Sequence, residues 1–262
     1  MSELATRFAE DGHVAPLTVL SEAEAGEAAA AYEEFQAQAR AHLGEEQRFK
    51  VHLLVRWLDA LVHDPRLVDH VESVLGPDIL CWSTDFFVKP ASDPSFVSFH
   101  QDSAYAGLEP VDGVVNAWLA LTPSRRDSGC LRVVPGSHRL GRLDHDRTDD
   151  ENNMLFFGQT ARLGVDEERV IDVELAPGQA SLHHLALVHG SGPNVSKQPR
   201  IGLVVRYVRA DVRQLKARDS ATLVRGRDRH GHFDLEPRPE SDWSEEAIAA
   251  FRDAIGRPSG LG

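Results

Sequence analysis

Val97-Ser98-Phe99-His100-Gln101-Asp102 is a short run built from aromatic and β-branched residues with polar ones between them, and it reads as a strand. On a strand, side chains two apart leave from the same face. His100 and Asp102 are therefore expected side by side, aimed into whatever the sheet encloses, with Phe99 and Gln101 turned away. A second imidazole, His189 in Leu187-Val188-His189-Gly190-Ser191, would complete a triangular face of two histidines and one carboxylate. With its other positions open, that donor set suits non-haem ferrous iron. His-x-Asp is common by chance, so the surrounding chain has to decide.

Downstream of residue 79 the period is that of strands. Ile79–Val88, Phe96–Asp102, Val114–Leu121, Cys130–Val134, Val170–Leu175, Gln179–His183 and Arg200–Val208 are short and separated by turn residues. Many short strands with few helices between them predict a sandwich or barrel. Upstream, the pattern is helical. Leu4 to Glu10 is stopped by Asp11-Gly12, and Ser21 with Glu24 is a capping box opening a helix that ends near Gly44. Lys50 to Val62 predicts one helix with Leu53, Leu54, Trp57, Leu58 and Leu61 on one face; Asp64-Pro65 opens another, closed by Gly76-Pro77. The expected class is mainly β with flanking α-helices in a single domain over residues 1–262. Residues 1–78 form a helical cover, 79–210 the barrel core, and 211–262 a C-terminal loop and a helix from Ser244 to Ile255. The polar stretches 143–168 and 213–236 are expected to be loops at the barrel mouth, where selectivity resides.

The chain has 262 residues, enough for one large core. Its 28 basic and 41 acidic residues give a formal charge of −13, with no basic cluster, which argues against a nucleic-acid or anionic-membrane surface. Cys81 and Cys130 lie in apolar runs without a C-x-x-C pattern and are expected to be buried thiols of a cytoplasmic protein. No apolar run approaches membrane-spanning length.

Thirteen histidines are present, and context selects among them. Arg200 follows His189 by eleven residues. An oxygenase that splits 2-oxoglutarate needs a cation for the distal carboxylate, and the guanidinium fork binds a carboxylate bidentately. Neither His183 nor His184 has a carboxylate two residues away, His138 is expected to order a loop, and His230 and His232 fall in a polar stretch.

The landmarks Val88-Lys89-Pro90, Phe99-His100-Gln101-Asp102, Ala117-Trp118-Leu119-Ala120, Gly129-Cys130-Leu131, Pro135-Gly136-Ser137-His138, Ala176-Pro177-Gly178 and His189-Gly190-Ser191 through Asn194 to Arg200 stand in order. Together they resemble the phytanoyl-CoA dioxygenase family of Fe(II)/2-oxoglutarate oxygenases. The resemblance implies a double-stranded β-helix (a jelly-roll, cupin-like barrel), with Fe(II), 2-oxoglutarate and O2 as cofactor and cosubstrates. It implies His100, Asp102 and His189 as iron ligands, Arg200 and Ser191 on the cosubstrate carboxylate, and Lys89 and Trp118 in the same pocket. The carboxylate at position 102 argues against halogenase relatives, which replace it with a small residue. The expected reaction is oxidation of a small-molecule C–H bond, by default hydroxylation, in secondary metabolism. Ring closure, desaturation or a non-oxygenase cupin-like metalloenzyme are the alternatives. Position and parity nominate Tyr105, Phe87, Arg206 and Asn153 as substrate contacts.

Overall fold

The computed structural model describes residues 2–43, 49–155 and 158–257; the expected helix stop at Gly44 falls outside them. Helix α1 (Glu3–Asp11) opens with the Ser2 hydroxyl accepting from the Ala5 amide at 3.1 Å. It is followed by β1 (His13–Thr18), a strand within the region read as helical cover. The capping box holds: the Ser21 amide donates to Glu24 Oε2 at 2.7 Å and the Glu24 amide to Ser21 Oγ at 3.2 Å, opening α2 (Glu22–Leu43).

The single helix expected over 50–62 is broken. A 3-10 turn spans Val51–Leu53, Val55 is extended, and α3 runs Arg56–Val62. The break lets Lys50 and His52 enter a buried polar network. Lys50 Nζ donates to the Ser220 carbonyl at 2.6 Å and lies 2.7 Å from Glu236; His52 bridges Thr84 and Thr222, 2.9 Å from each. Asp64 then caps α4 (Pro65–Leu75) through the Arg66 amide.

The remaining elements are β2 (Ile79–Lys89), β3 (Val97–His100), α5 (Ser103–Ala106), β4 (Leu108–Glu109), β5 (Val114–Ala120), β6 (Leu131–Val133), β7 (His145–Arg147), β8 (Gln159–Ala161), β9 (Ile171–Val173), β10 (Gln179–His184), β11 (His189–Ser191), β12 (Arg200–Arg209), β13 (Arg213–Gln214), β14 (Ser220–Arg225), β15 (Asp234–Leu235) and α6 (Glu245–Ile255). A seven-stranded sheet has the order β1-β10-β5-β12-β2-β14-β15, and a four-stranded sheet the order β3-β11-β6-β9. One face of the large sheet (Leu203, Val205, Tyr207, Val115, Ala117) packs on the helices through Leu54, Leu58, Leu67 and Val71. From its other face Trp118, Ala120 and Val204 meet Leu131, Val133 and Val173 of the small sheet. This sheet-rich, mixed α/β arrangement is consistent with a jelly roll.

Three expectations are corrected. The strand through Asp102 ends at His100, and Asp102 has helical dihedrals at the start of α5. The stretch 213–236 supplies β14, whose Thr222 pairs with Cys81, so it is built into the large sheet and is not a loop at the barrel mouth. The sheet also extends beyond 79–210 at both ends, through β1 and β14. Residues 143–168 lie between β6 and β9 as expected, with β7 and β8 paired to each other.

Antiparallel register orders the inner face of the large sheet into rows. His183, Asn116, Arg206 and Ser83 align across β10, β5, β12 and β2, as do Ser181, Trp118, Val204 and Asp85. Further along come Ala120, Gly202 and Phe87, and then Arg200 with Lys89.

Candidate metal centre and anion pocket

His100 ends β3, and the turn that follows brings Asp102 back beside it. Asp102 Oδ1 lies 3.1 Å from His100 Nε2 and 3.9 Å from His189 Nε2. Strand β11 pairs with β3 so that His189 faces His100, their ring centroids 4.3 Å apart. One donor atom from each of the three residues falls within 4.8 Å of the others.

Their surroundings fit a metal. His100 Nδ1 lies 2.9 Å from the Ser98 carbonyl and His189 Nδ1 2.9 Å from the Leu187 carbonyl. Each carbonyl lies in hydrogen-bond contact on the Nδ1 side of its ring, which turns both Nε2 atoms toward Asp102. Burial and the neighbouring His100 bring the His189 pKa down to about 4, keeping it neutral. Burial works against the Asp102 charge, but the His100 hydrogen bond and the nearby His189 and Arg206 outweigh it and hold the carboxyl well below its usual range. A neutral imidazole at His189 and an ionised carboxylate at Asp102 are the protonation states a divalent metal requires.

The cavity in front of this triad is lined by Phe87, Val97, Tyr105, Trp118, Leu131, His183, Ser191, Arg200, Val204 and Arg206 as well as the three donors. At one end Arg200 and Lys89 face each other across β12 and β2, only 2 % and 0 % exposed. Among the described residues, neither has a carboxylate within ion-pair distance. Lys89 Nζ donates to Ser191 Oγ at 2.7 Å and to the Gly192 carbonyl; Arg200 Nη1 donates to the Gly129 carbonyl at 2.6 Å, and its Nε has no partner. Burial, reinforced by Arg200, lowers Lys89 to about 7, and burial lowers Arg200 to about 10. Two buried cations with no acid in ion-pair distance make an anion site.

Trp118 closes this end, its ring 5.3 Å from the Arg200 guanidinium carbon. The indole lies over Gly202, where a Cβ would stand 2.0 Å from the ring, so only glycine leaves the space. Gly129 has φ +72° and presses against the Gly192 carbonyl, which aims its own carbonyl at Arg200.

At the other end Arg206 pairs with Asp85 at 2.8 Å, both buried. Tyr105 hydrogen-bonds through its hydroxyl to Asp102 Oδ1, and its ring runs nearly parallel to His100. Among the lining residues, Phe87 and Tyr105 alone are partly exposed. Asn153 lies outside the lining and ties the insertion to β3 through Ser98 Oγ at 2.9 Å. Phe99 and Gln101 turn away, Phe99 beneath Arg132 and Gln101 onto the carbonyls of Gly141 and Ala186. His138 contacts the Ala9 carbonyl and His184 contacts Asp112, away from the triad, while His230 and His232 stack on each other near the surface. Cys81 and Cys130 are free and buried.

Two further residues complete this site. His183 packs on His189 with centroids 4.9 Å apart and lines the cavity. Asn116, wholly buried, donates from Nδ2 to Asp102 Oδ2 at 2.6 Å. A signal for Asn116 existed: it is the one polar residue in Val114–Ala120 apart from Trp118, and it shares that residue's face.

The family profile described as phytanoyl-CoA dioxygenase (PhyH) matches residues 8–202. The chain belongs to the phytanoyl-CoA dioxygenase family. It is 32 % identical over 154 residues to peroxisomal phytanoyl-CoA dioxygenase of Homo sapiens, covering 56 % of this chain and 44 % of that protein. It is 32 % identical over 153 residues to 1-deoxypentalenic acid 11-beta-hydroxylase of Streptomyces arenae, covering 54 % and 52 %. The chain thus spans about half the length of the curated relatives it matches. Among solved structures, the non-heme monooxygenase ThoJ without metal superimposes with a TM-score of 0.90 at 38 % identity over 97 % of this chain and 95 % of that one. Its nickel complex gives 0.81 at 37 % identity over 97 % and 96 %. Family members are named as dioxygenases and hydroxylases. The His100, Asp102 and His189 set fits a resident iron, and no helix among the described residues is long and apolar enough to cross a membrane.

Proposed function

We propose that this chain is an Fe(II)- and 2-oxoglutarate-dependent dioxygenase that oxidises, by default hydroxylates, a C–H bond of a small molecule in the cytoplasm. Its two facing sheets then serve as a double-stranded β-helix. The observation that carries this reading is Arg200, a buried cation with no acid in ion-pair distance among the described residues, which lines the same cavity as the metal-binding triad and has Lys89 opposite it in register.

His100, Asp102 and His189 would hold the iron on one face, and Arg200, Lys89 and Ser191 would take the distal carboxylate of 2-oxoglutarate. Trp118 walls that pocket and excludes water from the ion pair. Iron in this site would supply the activation of O2 at the expense of 2-oxoglutarate, which leaves as succinate and CO2. Phe87 and Tyr105 mark the way in for substrate, which then meets Arg206 and His183. Among the described residues, His183 Nδ1 is a buried polar atom of the cavity lining without a hydrogen-bond partner. Such an atom is costly unless something hydrogen-bonds to it, which favours a polar substrate of the kind found in secondary metabolism.

With Fe(II), 2-oxoglutarate and O2 the purified protein should release succinate, faster with its substrate, and Asp102→Ala should reduce release to background. Absence of succinate from the wild type, or undiminished release from the variant, would refute the assignment.

A further inference from the structure

Resting on the metal centre proposed above, we infer that Asn116 is a positioning residue that restricts Asp102 to metal binding through one oxygen. The carboxylate has two oxygens in different surroundings. Oδ1 faces both imidazoles, 3.1 Å from His100 Nε2 and 3.9 Å from His189 Nε2. Oδ2 is held by Asn116 Nδ2 at 2.6 Å. Because β5 lies at the middle of the large sheet, between β10 and β12, that amide is fixed by strands on both sides.

Fold stability does not account for an asparagine here. Asn116 is wholly buried, with apolar neighbours Val115 and Ala117 along the strand, and among the described residues its Oδ1 has no hydrogen-bond partner. A buried amide that leaves its oxygen unpaired costs stability relative to an apolar residue of the same size. Among the described residues, the only side-chain hydrogen bond it makes goes to the candidate ligand. A group next to a metal ligand that selects its orientation is retained for what it does to the metal.

Held by Asn116, Asp102 fills one position and the two imidazoles two more, which leaves room for a chelating cosubstrate and O2. Released, the carboxylate can swing so that both oxygens face the metal, and one of those open positions closes. Tyr105 cannot substitute, since its hydroxyl bonds to Oδ1 and its side chain is partly exposed at the cavity mouth.

The test uses Co(II) added to metal-free protein. Titration calorimetry gives affinity, the visible absorption of Co(II) reports coordination, and the melting temperature of the metal-free protein reports fold stability. Asn116→Leu, of the same branched shape, should bind Co(II) about 10–100-fold more weakly. Its Co(II) spectrum should change, and added 2-oxoglutarate should perturb that spectrum less than in the wild type. Asn116→Ala, with the same expectation, serves if the leucine variant does not fold. Unchanged affinity and spectrum would overturn the inference, as would a lower melting temperature with both unchanged, because the role would then be structural. Failure of the wild type to bind Co(II) would instead overturn the metal centre itself.

Discussion

Buried cations occur in two kinds of setting in this molecule. Lys50 and Arg206 are each buried against an acid. Lys50 lies 2.7 Å from Glu236 and 3.8 Å from Asp219, and Arg206 lies 2.8 Å from Asp85. Burial opposes the Glu236 charge, yet Lys50 and His52 overcome it and hold the carboxyl at about 2. Lys89 and Arg200 are as deeply buried, but among the described residues they have carbonyl and hydroxyl partners and no acid within ion-pair distance, and burial lowers both pKa values. The difference separates charge used to fasten the chain from charge left for an arriving anion. The first kind is complete within the fold; the second is complete only with its ligand.

Lys50→Met should separate the two settings most strongly. It strands Glu236 and Asp219 in the interior, and breaking one side of a buried pair costs about 3–5 kcal/mol. Urea denaturation measures it, and a loss below about 1 kcal/mol would mean that the network does not fasten the fold. Arg200→Ala should behave oppositely. Affinity for 2-oxoglutarate should fall by the equivalent of about 2–5 kcal/mol. Stability without ligand should hold or rise, because an unpaired buried charge is removed; a drop like that of Lys50→Met would erase the contrast.

The smallest effect is a pH slope. The folded-state pKa of Lys89, about 7, lies below its ordinary 10.5. Between those values the unfolded chain holds a proton that the folded chain has lost. Stability without ligand therefore rises with pH across this window, by at most ~1.4 kcal/mol per unit. Binding of 2-oxoglutarate favours protonated Lys89, so its affinity should fall as pH rises above about 7. Urea denaturation and 2-oxoglutarate titration along a pH series should show both trends, and Lys89→Met should abolish both; their persistence would place the titrating group elsewhere.

Short-range pattern revealed a good part of this arrangement. His100 and Asp102 could be paired by strand parity, although a turn after His100 is what returns Asp102 to its neighbour. The order of turn and strand signals located β2, β5, β10 and β12. Long-range partners were illegible. Nothing near Lys50 or His52 announces contacts with residues 170 and 186 positions away, and those contacts break the expected helix. β1 was hidden by Pro16 in a six-residue strand, and β14 by its polar flanks. Register was equally invisible, so the facing of Lys89 and Arg200 could be implied only by resemblance. Asn153, nominated by its place in a polar insertion, serves to hold β3.

The positions of β1 and β14 have a practical corollary. Each covers the hydrogen-bonding side of an inner strand, β1 that of β10 and β14 that of β2. A fragment trimmed to 79–210 would present two long, apolar, unpaired backbones, the surfaces through which sheet proteins stick to one another. A fragment for expression therefore has to keep β1, β14 and Glu236, whose carboxylate closes the seam beside β14.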